Sequence, residues 1–190
     1  MESASQAAGA TSCTQSEQSG GIRLVNKTVV SSLSCSIDLL LVARRLVNIE
    51  FNPARFRAAI KRSRKYKAVI LMFANGRLVS AGKNAEGLTH NICKRLQRIG
   101  YTGAHISAIR VVNKVYAGSV QLRLNLTAIT SQHARATYTP ELFSGVSVRL
   151  RAQGATLVAF STGNFFLTGR CASRALANEA YTFLASNVCR

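Results

Sequence analysis

Apolar and polar residues alternate in some segments of the chain and recur at helical spacing in others, which predicts a mixture of strands and helices. Residues 23–37 alternate and are rich in Val and Ser, so they are predicted to form a strand, and residues 39–47 have the spacing and composition of a helix. Asn52 and Pro53 predict a turn, because proline cannot continue a helix. Further strands are predicted at residues 58–64, 68–73 and 77–81.

A tight turn and a longer helix complete this predicted unit. Asn75 and Gly76 both tolerate positive φ, so they predict a hairpin turn after residue 73. Residues 86–99 carry Leu88, Ile92 and Leu96 at every fourth position, which gives the predicted helix one apolar face. The order of elements predicts an α+β fold in which helices cover one face of an antiparallel sheet and leave the other face open.

The whole pattern occurs twice. A shift of 87 residues places Asn26 on Asn113, Pro53 on Pro140, Phe73 on Phe160 and Gly82 on Gly169, without a gap. We therefore predict a duplicated, pseudo-two-fold symmetric molecule with repeats at residues 22–108 and 109–190. Residues 1–21 lack large apolar side chains and are predicted to be a disordered tail.

The charge of the chain indicates a polyanionic partner. Lys and Arg number 25 against 7 Asp and Glu among 190 residues, so the formal net charge is +18. The charge is uneven, because residues 22–108 carry sixteen basic and three acidic residues while residues 109–190 carry nine and two. The first repeat is therefore expected to hold phosphates more strongly.

Other classes of function find little support. The five cysteines include no Cys-x-x-Cys pair, and His90 with Cys93 is interpreted as helix packing, so we expect neither disulfides nor a metal or other cofactor. The seven acidic residues and three histidines form no pattern typical of acid–base catalysis, so an enzyme is not expected. We also expect no membrane span and a soluble, intracellular protein, since no long apolar run or signal peptide is present.

The open sheet face is predicted to be unusually apolar. It would carry Leu71, Phe73, Val79 and their counterparts in the second repeat. An anionic partner that also accepts apolar side chains is duplex DNA bound through its minor groove, where inserted side chains can unstack base pairs.

Three stretches of the chain resemble the TATA-box-binding protein family. The first is FNPARF at 51–56, followed by Arg62, and the second is LMFANGRLV at 71–79, followed by Gly82. The third is YTPELFSG at 138–145, with Phe160, Gly163 and residues 167–169 further along the chain. The likeness extends over about residues 22–190. Several departures from the family pattern indicate a divergent member or a related factor.

The resemblance implies a saddle: a curved antiparallel sheet with helices on its convex side and a stirrup loop at each end. Phe56 with Phe73, and Phe143 with Phe160, would intercalate at the two ends of the DNA site. The implied minor-groove residues are Asn26, Thr28, Leu71, Val79, Asn113, Val115, Val158 and Thr168. The two amides would donate to adenine and thymine acceptors, so A·T-rich promoter DNA is the expected site.

The resemblance also implies phosphate contacts and protein partners. The implied phosphate-binding residues are Arg55, Arg62, Lys67, Arg77 and Arg149. Glu141 would contact a general transcription factor in the nucleus, whereas Thr139 replaces a second family glutamate, which puts the contacts with transcription factors IIA and IIB in question. Ala81 replaces a threonine of the groove surface, and Phe166 replaces a smaller residue. The DNA-free protein is also a candidate homodimer through its apolar face.

Alternatives remain at this stage. A single Phe is usually a core residue, and each Asn could merely terminate a strand. A duplicated RNA- or single-strand-binding protein would use exposed sheet aromatics to stack on bases, although the usual Arg/Lys-Gly-Phe/Tyr pattern is absent. A scaffold for other proteins would bind with little dependence on salt.

Overall fold

The computed structural model describes residues 21–150 and 154–188. The first half of the chain contains β1 (Arg23–Leu33), α1 (Leu39–Arg45), β2 (Ile49–Glu50), β3 (Ala58–Ser63), β4 (Ala68–Phe73), β5 (Arg77–Gly82) and α2 (Ala85–Arg98). The second half contains β6 (Ile106–Ser119), α3 (Leu126–Gln132), β7 (Ala136–Thr137), β8 (Gly145–Leu150), β9 (Ala155–Phe160), β10 (Asn164–Gly169) and α4 (Arg174–Ala185). Most of these bounds repeat after 87 residues, as the sequence pattern predicts. The tail predicted at residues 1–21 lies, apart from Gly21, outside the described residues.

Several bounds differ from the predicted ones by one or two residues, as in α1, which ends at Arg45 and not at residue 47, and two differences are larger. β1 ends at Leu33 and not at residue 37, because the chain there leaves the sheet and crosses the β4–β5 hairpin. The amides of Leu33 and Ile37 donate to the carbonyls of Gly76 and Ala74, at 2.8 and 2.9 Å. The two-residue strands β2 and β7 were not predicted, since two residues are too few to show an alternating pattern.

All strands belong to one open, curved antiparallel sheet with the order β2-β3-β4-β5-β1-β6-β10-β9-β8-β7. The pseudo-two-fold axis passes between β1 and β6, where Lys27 lies opposite Lys114. Both lysines are on the helix side of the sheet, and Lys27 forms an ion pair with Glu86 of α2 at 3.0 Å. The symmetry is therefore approximate, because Ser173 occupies the position in the second repeat that corresponds to Glu86.

The helices pack on one face of the sheet and form two separate hydrophobic cores. In the first repeat Ile70, Met72 and Leu78 are fully buried beneath α1 and α2. In the second, Leu157, Phe165 and Leu167 are buried beneath α3 and α4. These core residues alternate along the strands with partly exposed ones, as the predicted one-sided packing requires.

Each helix begins at a side-chain cap that fixes where the chain turns out of the sheet. Asp38, Asn84, Asn125 and Ser173 accept hydrogen bonds from backbone amides in the first turns of α1, α2, α3 and α4. These residues stabilise otherwise unpaired amides.

The predicted hairpin turn forms, but only its glycine takes positive φ. Gly76 has φ +79° and Gly163 in the second repeat has φ +84°, whereas Asn75 remains at negative φ. The Gly76 amide donates to the Phe73 carbonyl at 3.0 Å, so the hairpin has a three-residue loop closed by a left-handed glycine. A Cβ atom at Gly76 would collide with the carbonyl oxygen of Cys35.

Gly76→Ala is therefore expected to destabilise the protein by about 1–3 kcal/mol, because both its backbone conformation and the neighbouring carbonyl exclude a side chain. Gly103→Ala is the matched control, since no atom lies within 4 Å of a Cβ at that position. Urea unfolding of both variants measures the difference, and equal midpoints would contradict the expectation.

Candidate nucleic-acid interface

The sheet face opposite the helices, called here the open face, carries the residues predicted to line a groove. It contains Asn26, Thr28, Leu71, Val79, Asn113, Val115, Val158 and Thr168. None of them belongs to either hydrophobic core on the helix side. The structure therefore brings all eight to one continuous surface that crosses the pseudo-two-fold axis.

Two phenylalanine pairs lie at opposite ends of this surface. The ring centroids of Phe56 and Phe73 are 6.3 Å apart at 70°, and those of Phe143 and Phe160 are 5.7 Å apart at 64°. Phe56 and Phe143 are 44% and 47% exposed, and all four rings lie outside the helix-side cores. Core packing, the alternative for a single Phe, therefore does not apply to these residues.

Matching turns position the two exposed rings. The Phe56 amide donates to the Asn52 carbonyl and the Phe143 amide to the Thr139 carbonyl, both at 2.9 Å. In the second repeat Gly145 lets the two rings approach, because a Cβ there would lie 2.8 Å from the ring of Phe143 and 3.0 Å from that of Phe160. Each pair is thus held edge to face, with one ring directed into solvent.

The central amides lie on either side of the axis. Asn26 is opposite Val115 and Asn113 is opposite Thr28 in the pairing of β1 with β6. The Thr168 hydroxyl donates to Oδ1 of Asn113 at 3.2 Å, which leaves the Asn113 NH₂ group available as a donor. The first repeat lacks this bond, because Ala81 has no hydroxyl.

The five predicted phosphate-binding residues are all exposed. Arg62, Arg77 and Arg149 lie on strands of the open face, whereas Arg55 and Lys67 lie in the loops before β3 and β4. Arg62 is 3.6 Å from the carboxylate of Glu50. Arg149 faces no equivalent acid, because Thr137 occupies the position of Glu50 in the second repeat.

Two arginines of the open face were missed in the sequence, whereas Phe166 was noted there as a larger replacement on the groove surface. Arg23 lies opposite Ala117 and Arg110 opposite Val30, so two exposed guanidinium groups flank the centre of the face. Arg23 and Arg110 occupy the same position in the two 87-residue repeats, and this match could have identified them in the sequence. Phe166 lies opposite Val158 and Ala117, with its ring 6.1 Å from that of Phe160.

Val158 and Glu141, two further predicted site residues, differ in exposure. Val158 is on the open face but only 8% exposed, beside Phe166, so it contributes less surface than predicted. Glu141 is exposed in the loop between β7 and β8, next to Phe143. In the described ranges no three His, Cys, Asp or Glu residues lie close enough to hold a metal, and no helix there is long and apolar enough to cross a membrane.

Comparisons with known proteins agree with this geometry. The family model described as transcription factor TFIID, or TATA-binding protein, matches residues 21–99 and 108–189. TATA-box-binding protein 1 of Arabidopsis thaliana is 30% identical over 81% of the chain and 80% of its own length. The TATA-box-binding protein of Saccharomyces cerevisiae is 32% identical over 77% of the chain and 62% of its own length.

A solved structure gives the same fold. The TBP of Methanococcus jannaschii superposes with a TM-score of 0.71 at 26% identity, and covers 87% of this chain and 96% of its own. Because the family model matches both repeats and the Arabidopsis relative is 30% identical over most of the chain, the protein belongs to the TATA-binding protein family.

Proposed function

We propose that this protein binds the minor groove of A·T-rich promoter DNA, bends the duplex and acts as a transcription initiation factor in the nucleus. The observation that carries the proposal is the placement of two phenylalanine pairs at opposite ends of one apolar, basic-rimmed open face. Membership of the family supports it, since the curated relatives are named for binding a TATA box.

The phenylalanine pairs are suited to act as wedges. Insertion of an apolar ring between base pairs costs a few kcal/mol of stacking per step, and the bend that results lets more of the protein contact DNA. Phe56 and Phe143 are partly exposed before DNA arrives, so this insertion needs no rearrangement of either core. The inner rings, Phe73 and Phe160, support the outer ones from behind.

The centre of the open face supplies a modest preference for sequence. Asn26 and Asn113 can donate to adenine N3 and thymine O2, which present similar acceptors in the minor groove. Guanine adds an amino donor to the minor groove, and an amide NH₂ group cannot accept a hydrogen bond from it. We therefore infer a preference for A·T pairs at the middle of the site, with little discrimination between A·T and T·A.

The alternative of RNA or single-strand binding receives less support. Stacking platforms hold bases on aromatic rings in the middle of strands. Here Phe56 and Phe143 lie in loops and Phe73 and Phe160 lie at the ends of β4 and β9, a placement that suits the outer steps of a duplex site. Neither relatives nor the family model point to RNA.

Protein partners are proposed for the other surfaces. Glu141, exposed beside the second pair of rings, is a candidate contact for a factor of the IIB type, and the helix side is free for factors of the IIA type. Thr139 leaves the loop with a single carboxylate, so a weaker contact with a IIB-type factor is expected.

Removal of the rings of the second repeat tests the wedge. Phe143→Ala combined with Phe160→Ala is expected to abolish the bend at that end while weak, salt-sensitive binding remains, since the basic residues are unchanged. Energy transfer between dyes at the two ends of an A·T-rich duplex measures the bend. Leu122→Ala, which removes another exposed apolar side chain, is the control, and an unchanged end-to-end distance in the double variant would contradict the proposal.

Corresponding arginines of the two repeats test the phosphate contacts. Arg149→Ala is expected to weaken binding about equally on all sequences and to flatten the salt slope by about one unit. Arg62→Ala is expected to flatten it less, because Glu50 already neutralises part of that charge. Titrations at several salt concentrations measure both slopes, and an altered sequence preference with an unaltered slope would refute the phosphate role.

We also propose that the DNA-free protein self-associates through the open face, because so much apolar surface there lacks a cover. Sedimentation equilibrium is expected to show dimers that dissociate when an A·T-rich duplex is added. If the protein remains monomeric at concentrations up to about 100 μM, a dissociation constant typical of weak interfaces, this dimer is excluded.

A further inference from the structure

A broad cavity opens on the helix side of the first repeat, at the end of the sheet that β2 forms. It measures about 980 Å³ and lies between the loop before β2, strand β3, the turn after β3 and helix α2. Lys61 of β3 faces it, because its paired residues Ile49 and Ile70 both pack in the helix-side core. The sheet therefore separates this cavity from the open face.

The cavity is lined by basic side chains that acidic residues do not balance. Its basic lining residues are Lys61, Arg62, Arg64, Lys65 and Arg95. Glu50 also lines it, but its carboxylate forms an ion pair with Arg62 at 3.6 Å. Among the described residues, the ion pairs include neither Lys61 nor Arg95. The centre of the cavity thus carries positive charge without a counter-ion from the described part of the protein.

Lys61 is buried in a way that is unusual for a cation. It is only 8% exposed, and its ammonium group donates to the Val47 carbonyl, which uses one of three donors. Burial, together with the neighbouring Arg95, lowers the pKa of Lys61. Buried charges in proteins are ordinarily paired, because an unpaired one keeps the full cost of leaving water.

Arg95 is held in place beside Lys61. Its Nε donates to Oδ1 of Asn91, one turn earlier in α2, at 3.0 Å. This contact fixes the guanidinium and leaves its two terminal NH₂ groups as donors toward the cavity. Lys61 and Arg95 together form a preorganised pair of cations at the base of the cavity.

The second repeat differs at the same place. Val148 and Thr182 stand 87 residues after Lys61 and Arg95. The hollow there measures about 190 Å³ and is lined chiefly by apolar residues. Val148 is 1% exposed and belongs to the second core, so a residue at this position of the fold need not be charged. The fold alone therefore does not account for Lys61 and Arg95.

We propose that this cavity binds a small molecule that carries two or more linked phosphate groups. Arg and Lys are the side chains that best recognise phosphate oxygens. Lys61 and Arg95 hold one phosphate at the base, and the exposed Arg64 and Lys65 hold the next at the turn after β3. Cations spread around so wide a cavity suit a linked polyanion better than a single carboxylate.

Titration calorimetry of the full chain with tripolyphosphate tests the site. At about 150 mM salt, which screens loose attraction to exposed charges, binding to a single class of site is expected. Lys61→Val and Arg95→Thr copy the second repeat, and each should weaken binding about tenfold or more, because each removes a charge-assisted contact with phosphate. Lys94→Thr removes the same charge from an exposed position of α2 outside the cavity, and should weaken binding about twofold or less.

Thermal unfolding gives an independent readout. Tripolyphosphate should raise the Tm of the unsubstituted protein and of Lys94→Thr, because it binds the folded chain, and should raise the Tm of Lys61→Val much less. Lys61→Val is expected to fold, since it removes a buried cation and the second repeat accommodates valine at this position.

Two further probes identify the carrier of the phosphates. ATP presents linked phosphates on a nucleoside, and pyrophosphate presents them alone. Tighter binding of ATP than of pyrophosphate, lost in Lys61→Val, would support the site and show that the carrier contributes. Equal binding of both, again lost in Lys61→Val, would support recognition of the phosphates themselves.

Several results would overturn the proposal. One is the absence of binding by the unsubstituted protein. Another is an equal loss of affinity in Lys94→Thr and Lys61→Val, which would mean that the anion is merely attracted to a basic surface. A third is displacement of tripolyphosphate by an A·T-rich duplex, since the duplex is proposed to lie on the opposite face of the sheet. None of these titrations depends on DNA bending, so their failure would leave the minor-groove proposal intact.

Discussion

The pairing of β1 with β6 is the interaction on which the rest of the molecule depends. The two hydrophobic cores are separate clusters, each covered by its own helices, and residues at the ends of the central strands cross between them: Ile22 packs in the second core and Ile106 against the first. Backbone hydrogen bonds along these two central strands also continue one sheet across the axis. The distance between the two phenylalanine pairs, and hence the length of DNA they could span, is set by this one seam.

One-sided packing is the second determinant of function. Because α1 to α4 cover a single face, every strand has one set of side chains committed to a core and an alternate set left on the open face. The alternate set can change without loss of the fold, which is how Phe166, Ala81 and Thr28 could diverge while the buried residues kept the same pattern. Divergence of this kind alters how DNA would be held long before it alters stability.

Much of this arrangement could be predicted from the sequence. Residue patterns within the 87-residue repeat predicted most of the elements. The strand predicted at residues 68–73, for example, has the same bounds as β4 (Ala68–Phe73). The end of β1 could not be predicted, because it depends on long-range hydrogen bonds to the β4–β5 hairpin. Arg23 and Arg110 were missed for a related reason: irregularities in the register near Leu24 and Thr28 shift which residues face outward, and alternation alone does not reveal them. The ion pair of Arg62 with Glu50 likewise depends on β2, a strand too short to recognise.

Lys27 and Lys114 face each other across the central seam, and like charges directly opposite in a sheet repel. Glu86 compensates Lys27 alone. Dissolved ions screen such repulsion, so higher ionic strength favours cohesion of the two halves, whereas the same ions compete with the protein for phosphates. Added electrolyte is thus expected to stabilise the association of the two halves while it weakens the binding of nucleic acid.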